Sequence, residues 1–125
     1  MKSLDKDQLL KFRQKYRSIG SVKCPAFSGE SVFFGRSGFN HLIRKGRKLR
    51  KNHEQTSRLE LLLFAPYILF VSKTFDNHRV VKDKVNLKKS IQFWSFIRYG
   101  LLDEKITVIV RQSGKGKKEF YSIFS

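Results

Sequence analysis

The chain predicts an α+β fold, N-terminal helices packed on a C-terminal antiparallel sheet of about four strands, on three observations. Apolar residues recur at helical spacing in the first half, and the second half alternates with period two. A content of 40% hydrophobic and 14% aromatic residues supplies a core despite the heavy charge. Helical segments followed by sheet segments give α+β rather than an alternating parallel sheet. A length of 125 residues fits a single domain, 1–125, and no internal repeat or Pro/Gly-rich linker divides it.

Residues 4–17 come first, where Leu9, Leu10, Phe12, Arg13 and Tyr16 keep roughly helical spacing and Asp5 and Asp7 place negative charge where a helix N-terminus favours it. A short strand is expected near Ser31–Phe34, feeding a turn at Gly35-Arg36-Ser37-Gly38. Phe39 to Lys45 then reads as a short helix closed by Gly46. From Thr56 or Ser57 a helix runs through the apolar block Leu59–Val71, with Pro66 marking a kink or a new start. Strands follow at Val80–Lys82, Ile91–Ile97, Lys105–Arg111 and Glu119–Phe124, the last two joined by a glycine- and lysine-rich hairpin loop.

Charge narrows the function classes. Lys and Arg number 27 against 10 Asp and Glu, a formal +17, with 15 basic and 5 acidic residues up to residue 62 and 12 and 5 beyond it. The folded body is therefore basic throughout, which attracts polyanions and makes their binding salt-sensitive. Six cations crowd the eight positions Arg44–Lys51, and Arg58 follows. A solvated loop is the plain alternative, but such crowded like charges gain from a polyanion. Nucleic acid leads, and a membrane surface is the weaker partner because no amphipathic apolar face adjoins the cluster.

Other classes recede. Cys24 is the lone cysteine, which precludes an internal disulfide and fits a reducing compartment. The acidic start argues against a secretion signal, and Leu61–Val71 is shorter than the roughly 20 residues a bilayer requires. A cytoplasmic location is expected. His41, His53, His78 and Cys24 lack zinc-site spacing, so neither metal nor other cofactor is expected. The loop Ser113-Gly114-Lys115-Gly116-Lys117-Lys118 lacks the spacing of a nucleotide phosphate cradle.

His41 stands apart because it follows a Gly-Phe-Asn turn next to Arg44 and Lys45, cations that lower an imidazole pKa and keep it partly neutral. A surface or structural histidine is the plain alternative, and His53 and His78, in polar, turn-like surroundings, are expected to be solvated side chains. In the C-terminal hairpin, alternation puts Lys105, Thr107, Ile109 and Arg111 on one face, and Phe120, Ser122 and Phe124 on one face of the partner strand. Arg111 and Ser122 are thus expected near each other. Trp94 is expected to pack in the core and Tyr99 is free to stack on a base.

The run Phe33-Phe34-Gly35-Arg36-Ser37-Gly38-Phe39-Asn40-His41-Leu42-Ile43-Arg44-Lys45-Gly46-Arg47, then Arg58, Lys105–Gln112 and Gly116–Phe124, resembles the phage-associated branch of the barnase, EndoU, colicin and RelE-like (BECR-fold) nuclease superfamily. The resemblance implies a metal-independent endoribonuclease of toxin or phage type. It implies a cleft lined by His41, Arg111 and Ser122, with Arg44, Lys45 and Arg58 assisting. Arg47, Lys48 and Lys105 are further expected RNA contacts. In this chemistry a base takes the ribose 2′-hydroxyl proton, a cation stabilises the phosphorane and an acid protonates the leaving 5′-oxygen, giving a 2′,3′-cyclic phosphate. RNA, including tRNA, is the expected partner, and the +17 surface would suit an acidic inhibitor or antitoxin. A non-catalytic basic RNA-binding module is the alternative that the same charge and sheet would serve.

Overall fold

Residues 6–125 are described by the computed structural model, so the expected helix start at Leu4 and Asp5 lies outside the described residues. The first helix, α1, spans Lys6–Ile19, and a short strand β1, Ser21–Lys23, follows a glycine at positive φ. A 3-10 turn, Pro25–Phe27, leads to β2, Ser31–Phe33. Next come α2, Arg36–Ile43, and a two-stranded hairpin of β3, Arg44–Lys45, and β4, Lys48–Leu49. Helices α3, Asn52–Leu61, and α4, Phe64–Val71, precede the strands β5, Asn77–Lys82, β6, Ser90–Tyr99, β7, Lys105–Ser113, and β8, Lys118–Phe124.

Six strands form the main sheet in the order β1-β2-β8-β7-β6-β5. All pairings are antiparallel except β2 on β8, which run parallel. The α+β class and the four C-terminal strands are as expected. The sheet is larger than the expected four strands because β1 and β2 extend it beyond β8. Nothing in three-residue segments such as Ser21–Lys23 displays a period, and a parallel partner far along the chain leaves no local trace.

Two local readings are corrected. The basic segment after Ile43 is a hairpin, not the end of a helix. Gly46, at φ 64°, turns that hairpin rather than closing a helix. In the apolar block the expected new start holds, with two helices broken at Leu62–Leu63 and Pro66 in the first turn of α4, where a missing N–H costs no hydrogen bond, and only the beginning of the block is corrected. The first of the two begins at Asn52, ahead of the expected Thr56 or Ser57.

Alternation along paired strands gives the sheet two unlike faces. On one, Trp94 and Phe96 of β6 lie opposite Val110 and Val108 of β7, which oppose Phe120 and Ile123 of β8. All six are buried, and this side is covered by Tyr16 of α1, Phe39 of α2 and Phe34 from the link between β2 and α2. Phe34 stacks on Phe120 with centroids 4.9 Å apart. Tyr16 donates a 2.5 Å hydrogen bond to the Gly35 carbonyl, fixing α1 against the start of α2. Gly38 brings α2 hard against β8, since a Cβ there would overlap the Phe120 carbonyl and the Tyr16 hydroxyl. On the other face, Arg79, Phe93 and Arg111 lie side by side across β5, β6 and β7, none of them fully buried. Among the described residues no helix is long and apolar enough to cross a membrane.

Candidate functional site

A break in the β7–β8 ladder organises the site. Ile109 opposes Ser122 and Val110 opposes Phe120, so Tyr121 is an extra, unpaired residue in β8. Such a bulge lets two successive side chains share one face. Phe120 accordingly enters the core, while Ser122 has the parity of Ile109 and the open face. Tyr121 meets Phe93 of that face with ring centroids 5.5 Å apart. The expected common face of Phe120, Ser122 and Phe124 is therefore corrected: the bulge separates Phe120 from the other two.

Tyr121 then gathers the key side chains around its ring. His41 stacks on it at 4.2 Å and 24°, and the Arg111 guanidinium lies over it at 5.0 Å. Ser37, Asn40, His41 and Arg44 from α2 and the hairpin, together with Arg111 and Tyr121 from the sheet, line a depression of about 340 Å3. Arg111 donates to Ser37 Oγ at 3.1 Å and sits 3.7 Å from Glu119, contacts that hold its guanidinium at the rim. The α2 helix reaches this position because β2 delivers it alongside β8 and Gly38 permits the close approach.

Electrostatics around His41 follow from its neighbours. Burial first, then Arg50, Arg58 and Arg111, push its pKa from 6.5 down to about 4. The ring is neutral at pH 7. Arg50 Nη2 approaches His41 Nε2 at 3.4 Å, and because a guanidinium only donates, this contact suits the tautomer with its proton on Nδ1. Arg50 is itself buried, its Nε donates to the His41 carbonyl at 3.0 Å, and Glu54 lies 3.6 Å from it. Burial and Arg50 also lower the pKa of Arg58, although an arginine stays charged at any working pH.

The other expected residues are placed unevenly. Ser122 is 1% exposed, and its hydroxyl accepts a 2.7 Å bond from Arg58 Nη1, so it anchors Arg58 and presents no surface to the depression. Arg58 also lies over the Phe124 ring at 5.5 Å. Lys45, Arg47 and Lys48 are exposed on the hairpin beside Arg44. Lys105 starts β7, six residues from Arg111 and hence roughly 20 Å away along the strand. It is not brought to the site. Tyr99 is exposed at the end of β6, and Trp94 is core.

Sequence reasoning passed over Tyr121, Phe93, Arg79 and Ser37. The bulge that aims Tyr121 has no signature in an alternating segment. Arg50 was visible only as one of six clustered cations, although Glu54 four residues on marks it as the member with a local partner. Among the described residues no three His, Cys, Asp or Glu side chains gather as metal ligands. Comparison of the chain with family models, curated proteins and solved structures gives no match.

Proposed function

We propose that the chain is a metal-independent endoribonuclease, of the toxin or phage type implied by its BECR-like motifs, that cuts RNA by attack of a ribose 2′-hydroxyl on the adjacent phosphorus. The observation that carries this reading is the convergence of a neutral imidazole and a guanidinium on one depression, His41 and Arg111 flanking the Tyr121 ring. Neutral His41 accepts the 2′-hydroxyl proton at Nε2, whose lone pair the long 3.4 Å contact with Arg50 Nη2 must yield to the substrate. Arg111 faces the charge that builds on the non-bridging oxygens, as preorganised cations do in phosphoryl chemistry. The oxygen–phosphorus bond to the 5′-oxygen then breaks, leaving a 2′,3′-cyclic phosphate and a 5′-hydroxyl.

The departing oxygen requires a proton. Protonated His41 supplies it, because surroundings that hold its pKa near 4 make the imidazolium a ready acid. Tyr121 is the rival donor, and Tyr121→Phe separates the two by keeping the stacked ring and removing the hydroxyl. Arg58, fastened by Ser122, adds to the effect of burial and Arg50 on His41, and the hairpin cations Arg44, Lys45, Arg47 and Lys48 hold the flanking backbone.

A second reading, a non-catalytic RNA-binding module, is favoured by one observation. Arg79 lies over Phe93 at 5.0 Å and Arg111 over Tyr121, a pair of ring-and-guanidinium platforms on which bases can stack without being cut. The decisive test incubates the protein with tRNA and RNA oligonucleotides in EDTA beside His41→Ala. Fragments ending in cyclic phosphate, reduced about 10²–10⁴-fold in the variant at nearly unchanged affinity, are expected for the nuclease. RNA that is bound tightly and left intact would establish the module instead.

A further inference from the structure

A cleft of about 440 Å3 lies between α1 and the start of α2. Its lining includes Arg13, Arg17 and Arg36, with Asn40 at one wall and the Phe34 and Phe39 rings. No carboxylate lines it, and none of the three arginines forms an ion pair among the described residues. Arg13 is held over the Phe39 ring at 5.2 Å. Arg17 stands one helical turn beyond Arg13, a like-charged pair on one face that repels unless an anion lies between. The first turn of α2, which opens at Gly35 and Arg36, has no side-chain cap.

We propose that this cleft is a second phosphate-binding subsite that takes a backbone phosphate of the RNA strand whose scissile phosphate occupies the depression at His41 and Arg111. The proposal rests on the RNA reading above. Asn40 lines both cavities and adjacent residues of α2, Arg36 and Ser37, belong to one each, so a strand crossing this helix reaches both. The three arginines supply charge without base contacts, so the subsite fixes the register of the strand and reads no sequence.

Titration of the full-length protein with inorganic pyrophosphate, followed by amide chemical shifts, tests the cleft without any cleavage. Saturable shifts are expected at residues 35–40, with affinity at least about tenfold weaker in Arg17→Ala/Arg36→Ala. A control with equal charge loss at the exposed β5–β6 turn, Lys84→Ala/Lys88→Ala, should change affinity less than about twofold. With single-stranded RNA, the cleft variant should also flatten the slope of log affinity against log salt by about 0.7 for each phosphate left unneutralised. Shifts confined to the hairpin at 44–48, or equal effects of the two double variants, would overturn the proposal. Cleavage with an inert cleft sinks the subsite alone, whereas pyrophosphate capture without cleavage sinks the nuclease alone.

Discussion

The two faces of the sheet are built from alternate residues of the same strands, yet they have divided their work. The covered face packs Trp94, Phe96, Val108, Val110, Phe120 and Ile123 at 6% exposure or less, and polar groups meet it where His78 and Lys118 lie against the Trp94 ring and Arg98 over Phe96. The open face sets Phe93, Arg111, Arg79 and Tyr121 in contact as rings and guanidiniums, each at least partly exposed. One face meets the hydrophobic requirement for folding, which frees the other to keep cations and aromatic edges in water where a polyanion can reach them. Tyr121 joins the two roles, since its bulge keeps Phe120 in the core while turning an extra ring outward.

Cutting into each face in turn makes the division measurable. Phe120→Ala removes a ring that stacks on Phe34 and packs on Tyr16, and should lower unfolding free energy by about 3–5 kcal/mol in urea titration. Phe93→Ala, on the same sheet but partly exposed, should cost under about 1 kcal/mol in the same titration. Its effect should fall on RNA binding, weakened by about 1–3 kcal/mol through removal of a base-stacking ring. Comparable destabilisation by the two variants would mean that the faces are not divided as described.

That division was only partly legible in the sequence. The alternation of Lys105–Arg111 is a direct imprint of one wet and one dry face, so β7 and the parity of Arg111 were readable. Ile91–Ile97 carries apolar residues on both faces and was readable as a strand but not as a divided one. Tyr121 and Ser122 were not, because a bulge adds a residue without altering composition and shifts the parity of one side of the strand against the other. His41 stood out through its charged neighbours, but its stacking partner lies near the opposite end of the chain. The hairpin at Arg44–Leu49 was hidden because Arg and Lys suit a helix and a solvated strand alike, leaving Gly46 to serve equally well as a cap or a turn.

Ser122 sharpens the comparison next, since it has open-face parity but core burial. Ser122→Ala leaves Arg58 without its acceptor and should cost about 1.5 kcal/mol, the lower end for a charged group because Arg58 keeps some contact with water. RNA cleavage should fall through displacement of Arg58, so that Ser122→Ala added to Arg58→Ala lowers the rate no further. Additive effects in that double-mutant cycle would show that the hydroxyl acts on the substrate directly.

The smallest expected effect concerns pH. His41 has its pKa lowered in the folded chain from 6.5 to about 4, so between those values the unfolded chain binds more protons at this position than the native one. Stability contributed by the neutral ring is thus complete above about pH 6.5, is lost as pH falls, and stops changing below about pH 4. His41→Gln should flatten that part of the stability profile. Activity should show the same displacement, with the acid limb of kcat/KM set near 4 rather than near 6.5. Because Arg111 is one of the cations holding the ring neutral, Arg111→Gln should move the limb toward higher pH, whereas Arg79→Gln, at the far edge of the open face, should leave it in place. A limb that stays fixed in Arg111→Gln would assign the shift to burial and to the cations behind the ring, Arg50 and Arg58, and would detach the proton chemistry of His41 from the phosphate-facing side of the depression.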